Sequence, residues 1–386
     1  MARFEEAAGL LARLVAFDTT SRNSNLDIIR FAEAALAAHG IASRVTPDAT
    51  GGKANLHAII GPPVAGGVAL SAHLDCVPVD GQAWLADPFI LRRQEGRFVG
   101  RGACDMKGFA ACMLAMAPHF ATCGLKRPVH LCLTHDEETT FAGAARLAPE
   151  LGAGAPPPAW CIIGEPSGMA PIVAHKGYAS WDVTVTGLSG HSSRTTETAN
   201  ALHAAAGAVA WLAARAAEFA AHGRRAPGFE PPWSTVHVGF LHAGSVLNIV
   251  PDRADFAFEM RSVPGDSAAE LLAALQAQFE QVLLPPLRAI HPGCEVRFSA
   301  RADAPPLDIA EDHALTGMVR RLTGRNATGR VSYATEAGFF QRAGIASIVC
   351  GPGHIAQAHQ PEEWLAESEL AACLDFLHRL AGELAA

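Results

Sequence analysis

No block of lysine or arginine stands out along the 386 residues, and charged side chains make up only 18% of the chain. A nucleic-acid partner calls for a basic stripe or patch, so none is expected, and the net charge of −8 accords with a freely soluble protein. The first residues, MARFEEAAGLLARLVAFDTTSRNS, lack a secretory pattern. Glu5 and Glu6 stand where basic residues belong, and Arg13 interrupts the apolar part, so the segment reads as an amphipathic helix. No run is long enough to cross a membrane. The longest uncharged helical stretch, GFAACMLAMAPHFATCG, is short, rich in small residues and interrupted by Pro118 and His119, so a buried helix is expected there. The cysteines number nine, an odd count, and no C-x-x-C pair occurs. They read as buried free thiols in a reducing cytoplasm rather than as a disulfide framework. Internal repeats are absent as well.

What the chain does have is apolar content, 49% of its residues, enough for a large core and two or three domains. Through the first 175 residues, short apolar runs (ANLHAII, GVALSAHL, VHLCLTH, AWCIIGE) alternate with helical segments. The runs have the composition of parallel strands buried on both faces, and the rhythm predicts an α/β domain with crossover helices. From Lys176 the pattern becomes β-α-β-β-α-β, beginning with ASWDVTVTGLSG and ending with CEVRFSA. This order is the ferredoxin-like split unit. The expectation is therefore a catalytic domain in two parts, residues 1–175 and 302–386, with a lid or dimerisation domain inserted over 176–301.

Chemistry-bearing residues follow the strand-like runs of the first part. His73 and Asp75 come after VALSA, Asp105 after GRFVGRGAC, Glu137 and Glu138 after VHLCLTHD, and Glu165 after WCIIG. From 73 to 105, 138 and 165 the steps are 32, 33 and 27 residues, about one βα unit each. Such groups would collect at the carboxyl ends of the strands, where open α/β sheets bind ligands. His359, in AQAHQPEEW, could join them. Singly, a histidine at a strand end or an aspartate before a helix is commonplace. One such group per unit, in succession, points to a metal site. Two histidines and three carboxylates suit two divalent cations about 3.5–4 Å apart, zinc first, with cobalt or manganese also accommodated by the N/O donors. Spacing alone leaves amide hydrolysis and phosphate-ester hydrolysis both open.

The residues themselves go further. SAHLDCVPVDGQAW, GRGACDMKGFAACMLA, THDEETTFAGA, IIGEPSG and IAQAHQPEEW resemble, in order, the successive motifs of the M20 family of metallopeptidases and amidohydrolases. The resemblance implies that His73 and Glu165 hold one metal, Glu138 and His359 the other, and that Asp105 bridges them. It implies that Asp75 orients the His73 ring and that Glu137 is the general base acting on a metal-bridged water. Extended backbone through Glu137 and Glu138 would turn the two side chains opposite ways. In the inserted domain, His191 of GLSGHSSR would stabilise the oxyanion, often across a homodimer, while Asn248 and Arg261 would bind substrate. No Gly-rich phosphate loop or basic cluster lies near the ligands, which disfavours phosphate esters.

Within the family, SYATEAGFFQRAGI and CGPGHIAQAHQPEEWL are most similar to the acetylornithine deacetylase subgroup. That likeness implies release of acetate from an N-acyl amino acid, N-acetylornithine, with Glu336 meeting the distal ammonium. Succinyl-diaminopimelate, other N-acyl amino acids and dipeptides are the alternative substrates, and a metal-binding module without catalysis is the alternative from another class. Asp136 is left with a supporting hydrogen bond at its turn.

Overall fold

The structure, a computed structural model, describes residues 2–153 and 156–386. The chain divides into two compact units. One comprises the residues to Ala174 together with Leu307–Arg330 and Thr335–Ala386, and the other comprises His175–Pro306 with Val331–Ala334.

The first unit is built on a mixed, nine-stranded sheet. Its centre is parallel: Val129–Thr134, Val68–His73, Trp160–Pro166 and Ala346–Gly351 run side by side. Ala54–Ile60 differs from expectation, since it pairs antiparallel with Val129–Thr134 and forms a hairpin with Ser43–Pro47. Its apolar composition reflects burial, which is the same for either strand direction. The helix Gly108–Thr122 is buried over nearly its whole length and packs against Ala2–Val15 and Glu367–Ala385. Its run of Gly, Ala and Cys lets three helices approach closely, and each apolar side chain fully removed from water, such as Phe109 or Met113, contributes about 1.5–3 kcal/mol. Among the described residues, no helix is long and apolar enough to cross a membrane. All nine cysteines are free, and Cys123 is the one that is not fully buried.

Two histidines on neighbouring strands of this sheet, His130 buried and His57 half-buried, form a neutral pair. His57 Nε2 lies 3.1 Å from His130 Nδ1, with the rings stacked. Burial pushes both imidazoles down to about 4, and for His57 the neighbouring His130 adds to the effect. The unfolded chain takes up protons near the ordinary value of about 6.5, whereas the folded chain resists until about 4. Stability from this pair is therefore present above 6.5 and lost as pH falls towards 4. Compared by chemical denaturation across these pH values, the unmodified protein is expected to lose stability towards pH 4 relative to a His57→Leu/His130→Leu double variant.

In the second unit the strands Gly177–Thr186, Thr235–Ala243, Arg253–Ser262 and Glu295–Ala304 form one antiparallel sheet. The first and third strands occupy the centre, as in the ferredoxin-like order. Alternation explains the burial. Ala179, Trp181, Val183 and Val185 face inward, where they meet Phe256, Phe258 and the helices Ala201–His222 and Ala268–Gln278. Asn200 and Ser267 cap those helices by accepting from the backbone N–H groups of His203 and Glu270. The last strand runs on to Ala304, so the unit extends past the expected boundary at 301.

Candidate metal centre

Strand direction does the first part of the positioning. In Val68–His73 the residues Ser71 and His73 share one face, and His73 lies beside Thr134 at the end of the next parallel strand. Glu165 sits near the end of Trp160–Pro166. That strand lies close to its neighbour because Gly351 has no side chain: a Cβ there would stand 1.9 Å from the Gly164 carbonyl oxygen. Asp105 arrives differently from the expected way. The strand before it, Arg97–Val99, belongs to a separate small sheet with Arg92–Gln94 and Trp364–Ala366, and Asp105 is carried by the turn that opens the Gly108–Thr122 helix. The step of 32 residues matched a βα unit, but a short hairpin and a turn fill it instead.

The side chains meet closely. His73 Nε2 lies 3.0 Å from Asp105 Oδ1 and 3.6 Å from Glu165 Oε1. His359 Nε2 lies 3.2 Å from Asp105 Oδ2 and 3.0 Å from Glu138 Oε1. The two oxygens of Asp105 thus face two different histidines, each with its own second carboxylate. Donor atoms of His73, Glu137 and Glu165, and of His73, Asp105 and Glu138, lie within 4.8 Å of one another.

Electrostatics explains why such a cluster needs cations. Burial, followed by the charge of Glu165, pushes the Glu137 carboxyl well above its usual range. Burial and Asp105 do the same to Glu165, and they raise Glu138 to about 7. Burial works against a charged His359, yet its bonds to Asp105 and Glu138 raise it to about 11. Glu165 Oε1 is buried and has no hydrogen-bond donor. A buried carboxylate oxygen without a donor is costly, and a bound dication supplies the missing partner. The imidazole and carboxylate donors suit two divalent ions with Asp105 between them.

Glu137 and Glu138 stand in a turn, so extended backbone does not separate their side chains as expected. Asp136 adopts the left-handed conformation, with φ of 60°, and its carbonyl accepts from Thr140 and Phe141. The Asp136 carboxylate meets Lys53 and the His135 ring, which gives this residue the supporting role at the turn. Asp75 holds the turn from the other side. Its oxygens accept from the backbone N–H groups of Glu137, at 3.1 Å, and Glu138, at 3.3 Å, and from Ser21 Oγ. His73 Nδ1 is 3.0 Å from the main-chain oxygen of Asp75 and 3.5 Å from its carboxylate. A hydrogen bond there leaves Nε2 free for a metal.

Glu336 is a correction. It was expected to meet a substrate ammonium, but it is 0% exposed, and its two oxygens accept from Ser71 Oγ and Thr134 Oγ1. A carboxylate enclosed in this way has no surface to offer a substrate. His191, Asn248 and Arg261 belong to the second unit. There His191 is exposed with Nδ1 2.8 Å from Ser193 Oγ, and the Asn248 carbonyl accepts from Ser192 N–H. Arg261 pairs with Glu259 at 3.2 Å and lies over the Tyr178 ring. Sequence reasoning missed Glu363 and Arg101, a buried ion pair at 2.7 Å behind Asp105. Both stood in motifs already noted for their metal ligands, but a charge pair between residues 262 apart leaves no local pattern.

Residues 69–383 match the sequence profile of Peptidase family M20/M25/M40. The chain belongs to that family. It is 34% identical over 374 residues to an acetylornithine deacetylase of Myxococcus xanthus, covering 96% of this chain and 95% of that one. An acetylornithine deacetylase of Proteus mirabilis (strain HI4320) is 34% identical over 354 residues, 91% of this chain and 88% of the relative. Among solved structures, an M20 family metallo-carboxypeptidase, Sso-CP2 of Sulfolobus solfataricus, has the same fold, with a TM-score of 0.77 at 15% identity, covering 98% of this chain and 99% of that one. This M20 chain is a metal-dependent hydrolase.

Proposed function

We propose that this hydrolase cleaves the amide of an N-acyl amino acid, with N-acetylornithine as the first candidate, giving ornithine and acetate in arginine biosynthesis. The observation that carries the hydrolytic reading is the Asp105 carboxylate, whose two oxygens face His73 and His359 separately while Glu137 stands beside the ligands in a buried site. The substrate reading rests on the two deacetylase relatives, which the chain matches over nearly its full length.

Two divalent cations, zinc in this reading, would polarise the amide carbonyl and acidify a water. His73 and Glu165 would hold one, Glu138 and His359 the other, and Asp105 both. Glu137 takes a proton from the attacking water. As oxygen adds to the carbonyl carbon and the C–N bond breaks, Glu137 returns that proton to the leaving amine. Asp75 contributes by holding the backbone of the Glu137–Glu138 turn. The resemblance assigns His191 to the oxyanion, and Arg261 and Asn248 to the substrate. An arginine offers a fork that matches an α-carboxylate. A homodimer is supported by the exposed Val246, Leu247 and Ile249 in the second unit. The free cysteines support a reducing compartment, the cytoplasm.

The test is a substrate panel: N-acetylornithine, succinyl-diaminopimelate, N-acetyl and N-formyl amino acids, and dipeptides. The highest kcat/KM is expected for N-acetylornithine. A higher value for the succinyl substrate or a dipeptide would reject that assignment while leaving the amidohydrolase reading in place.

A further inference from the structure

The segment that carries His359 is held in an unusual way. His359 and Glu362 both lie in the left-handed region, with φ of 60° and 59°. Outside glycine this region is uncommon, entered more readily by histidine than by glutamate, and such residues persist where the surroundings over-determine them. Here the surroundings are specific. The Glu362 carboxylate accepts from Leu85 N–H at 2.9 Å and from Arg92 Nη2 at 2.6 Å. The next residue, Glu363, is 1% exposed and turns its carboxylate to the loop before Asp105.

Both oxygens of Glu363 are fully engaged. Oε1 accepts from the backbone N–H groups of Cys104, at 2.9 Å, and Asp105, at 3.0 Å. Oε2 accepts from Arg101 Nη1, at 2.7 Å, and Gly102 N–H, at 3.1 Å. Arg101, itself fully buried, also donates through Nη2 to Gln82 Oε1, and Gln82 Nε2 donates to the His359 main-chain oxygen at 3.1 Å. The circuit is closed: Asp105 N–H, Glu363, Arg101, Gln82, His359, and back along the chain to Glu363. It joins two ligands that approach the site on different segments. His73 and Glu165 lie outside it, on strands of the central sheet.

We propose that Glu363, through Arg101 and Gln82, is a positioning residue that holds His359 in register with Asp105 and so completes the second metal's ligand set without touching that metal. The inference rests on the two-ion reading of the site. Glu363→Gln would break the circuit, because the carboxylate receives four N–H donors and offers none. An amide must turn its NH2 towards either the Cys104 and Asp105 N–H groups or those of Arg101 and Gly102.

The experiment is calorimetric titration of the full-length apoprotein with Zn²⁺, with thermal melts to report folding. The unmodified protein is expected to bind two ions. In Glu363→Gln the first ion should bind within about threefold of the unmodified value, while the second weakens roughly 10–100-fold, the range found when groups behind metal ligands are removed. Gln82→Ala, which frees the His359 carbonyl and leaves Glu363 in place, should weaken the second ion about tenfold, within the same range. Equal weakening of both ions, or no change in a folded variant, would overturn the proposal. If Glu363→Gln fails to melt cooperatively, Gln82→Ala decides alone by the same criterion. Fewer than two ions in the unmodified protein would overturn the two-ion reading and this inference together, whereas two ions that Glu363→Gln leaves unaltered would overturn only the inference.

Discussion

Glu137→Gln is expected to lower kcat roughly 10²–10⁴-fold, the usual contribution of a general acid–base group, with bound metal unchanged. Glu137 is buried within reach of His73 and Glu165, but its backbone is pinned by Asp75, and in the proposed two-ion arrangement Asp105, Glu138, Glu165 and both histidines would serve as ligands without it. The amide keeps the size and the turn while removing the proton carrier. Such a loss corresponds to about 3–5 kcal/mol of barrier. The checks are steady-state kinetics together with metal analysis of the same sample. Full turnover in the glutamine variant would refute the role. Loss of metal along with activity would make Glu137 a ligand instead.

Chelation should abolish activity altogether, and added divalent ions should restore it. It should also change how stability depends on pH. In the metal-free protein the folded-state carboxyls of Glu137, Glu138 and Glu165 titrate above their unfolded value, Glu138 at about 7. Groups raised in this way favour the folded state below the unfolded value of about 4.3 and lose that contribution as pH rises through the folded one. Relative to the metal-loaded protein, the apoprotein should therefore lose stability from about pH 4.5 to beyond 7. Bound cations remove the penalty on the ionised carboxylates, and at about 1,000 times Kd each ion adds about 4 kcal/mol to stability. Melting temperatures of the metal-free and metal-loaded protein should thus separate increasingly as pH rises across this range. Parallel curves would indicate that the carboxylates do not depend on metal for their charge.

How much of this was legible varies by residue. The strand Val68–His73 was readable because six buried positions in a row leave little choice of composition, and the polar residues at its end stood out against them. The direction of Ala54–Ile60 was not readable, since burial on both faces looks the same in a parallel or antiparallel partner. Asp105 lies between His73 and His359, but on the turn that opens a helix and not at a strand end, because residue spacing counts chain length and not path. Glu336 shows the converse. Its motif signalled importance, but motif membership carries no information about exposure, and the carboxylate is enclosed by two hydroxyls.

The family and the succession of polar motifs that could hold a metal were legible in the sequence itself, since apolar periodicity and the order of polar motifs are local properties that chain order preserves. Only the tertiary structure decided which Asp105 oxygen faces which histidine, and that Asp75 pins the Glu137–Glu138 turn. It alone joined Glu363 to Arg101 and Gln82. These are contacts between residues far apart in the chain, made in a buried site where each unpaired donor or acceptor is costly. Such contacts follow from how the packed elements meet, and no single segment of the chain records that.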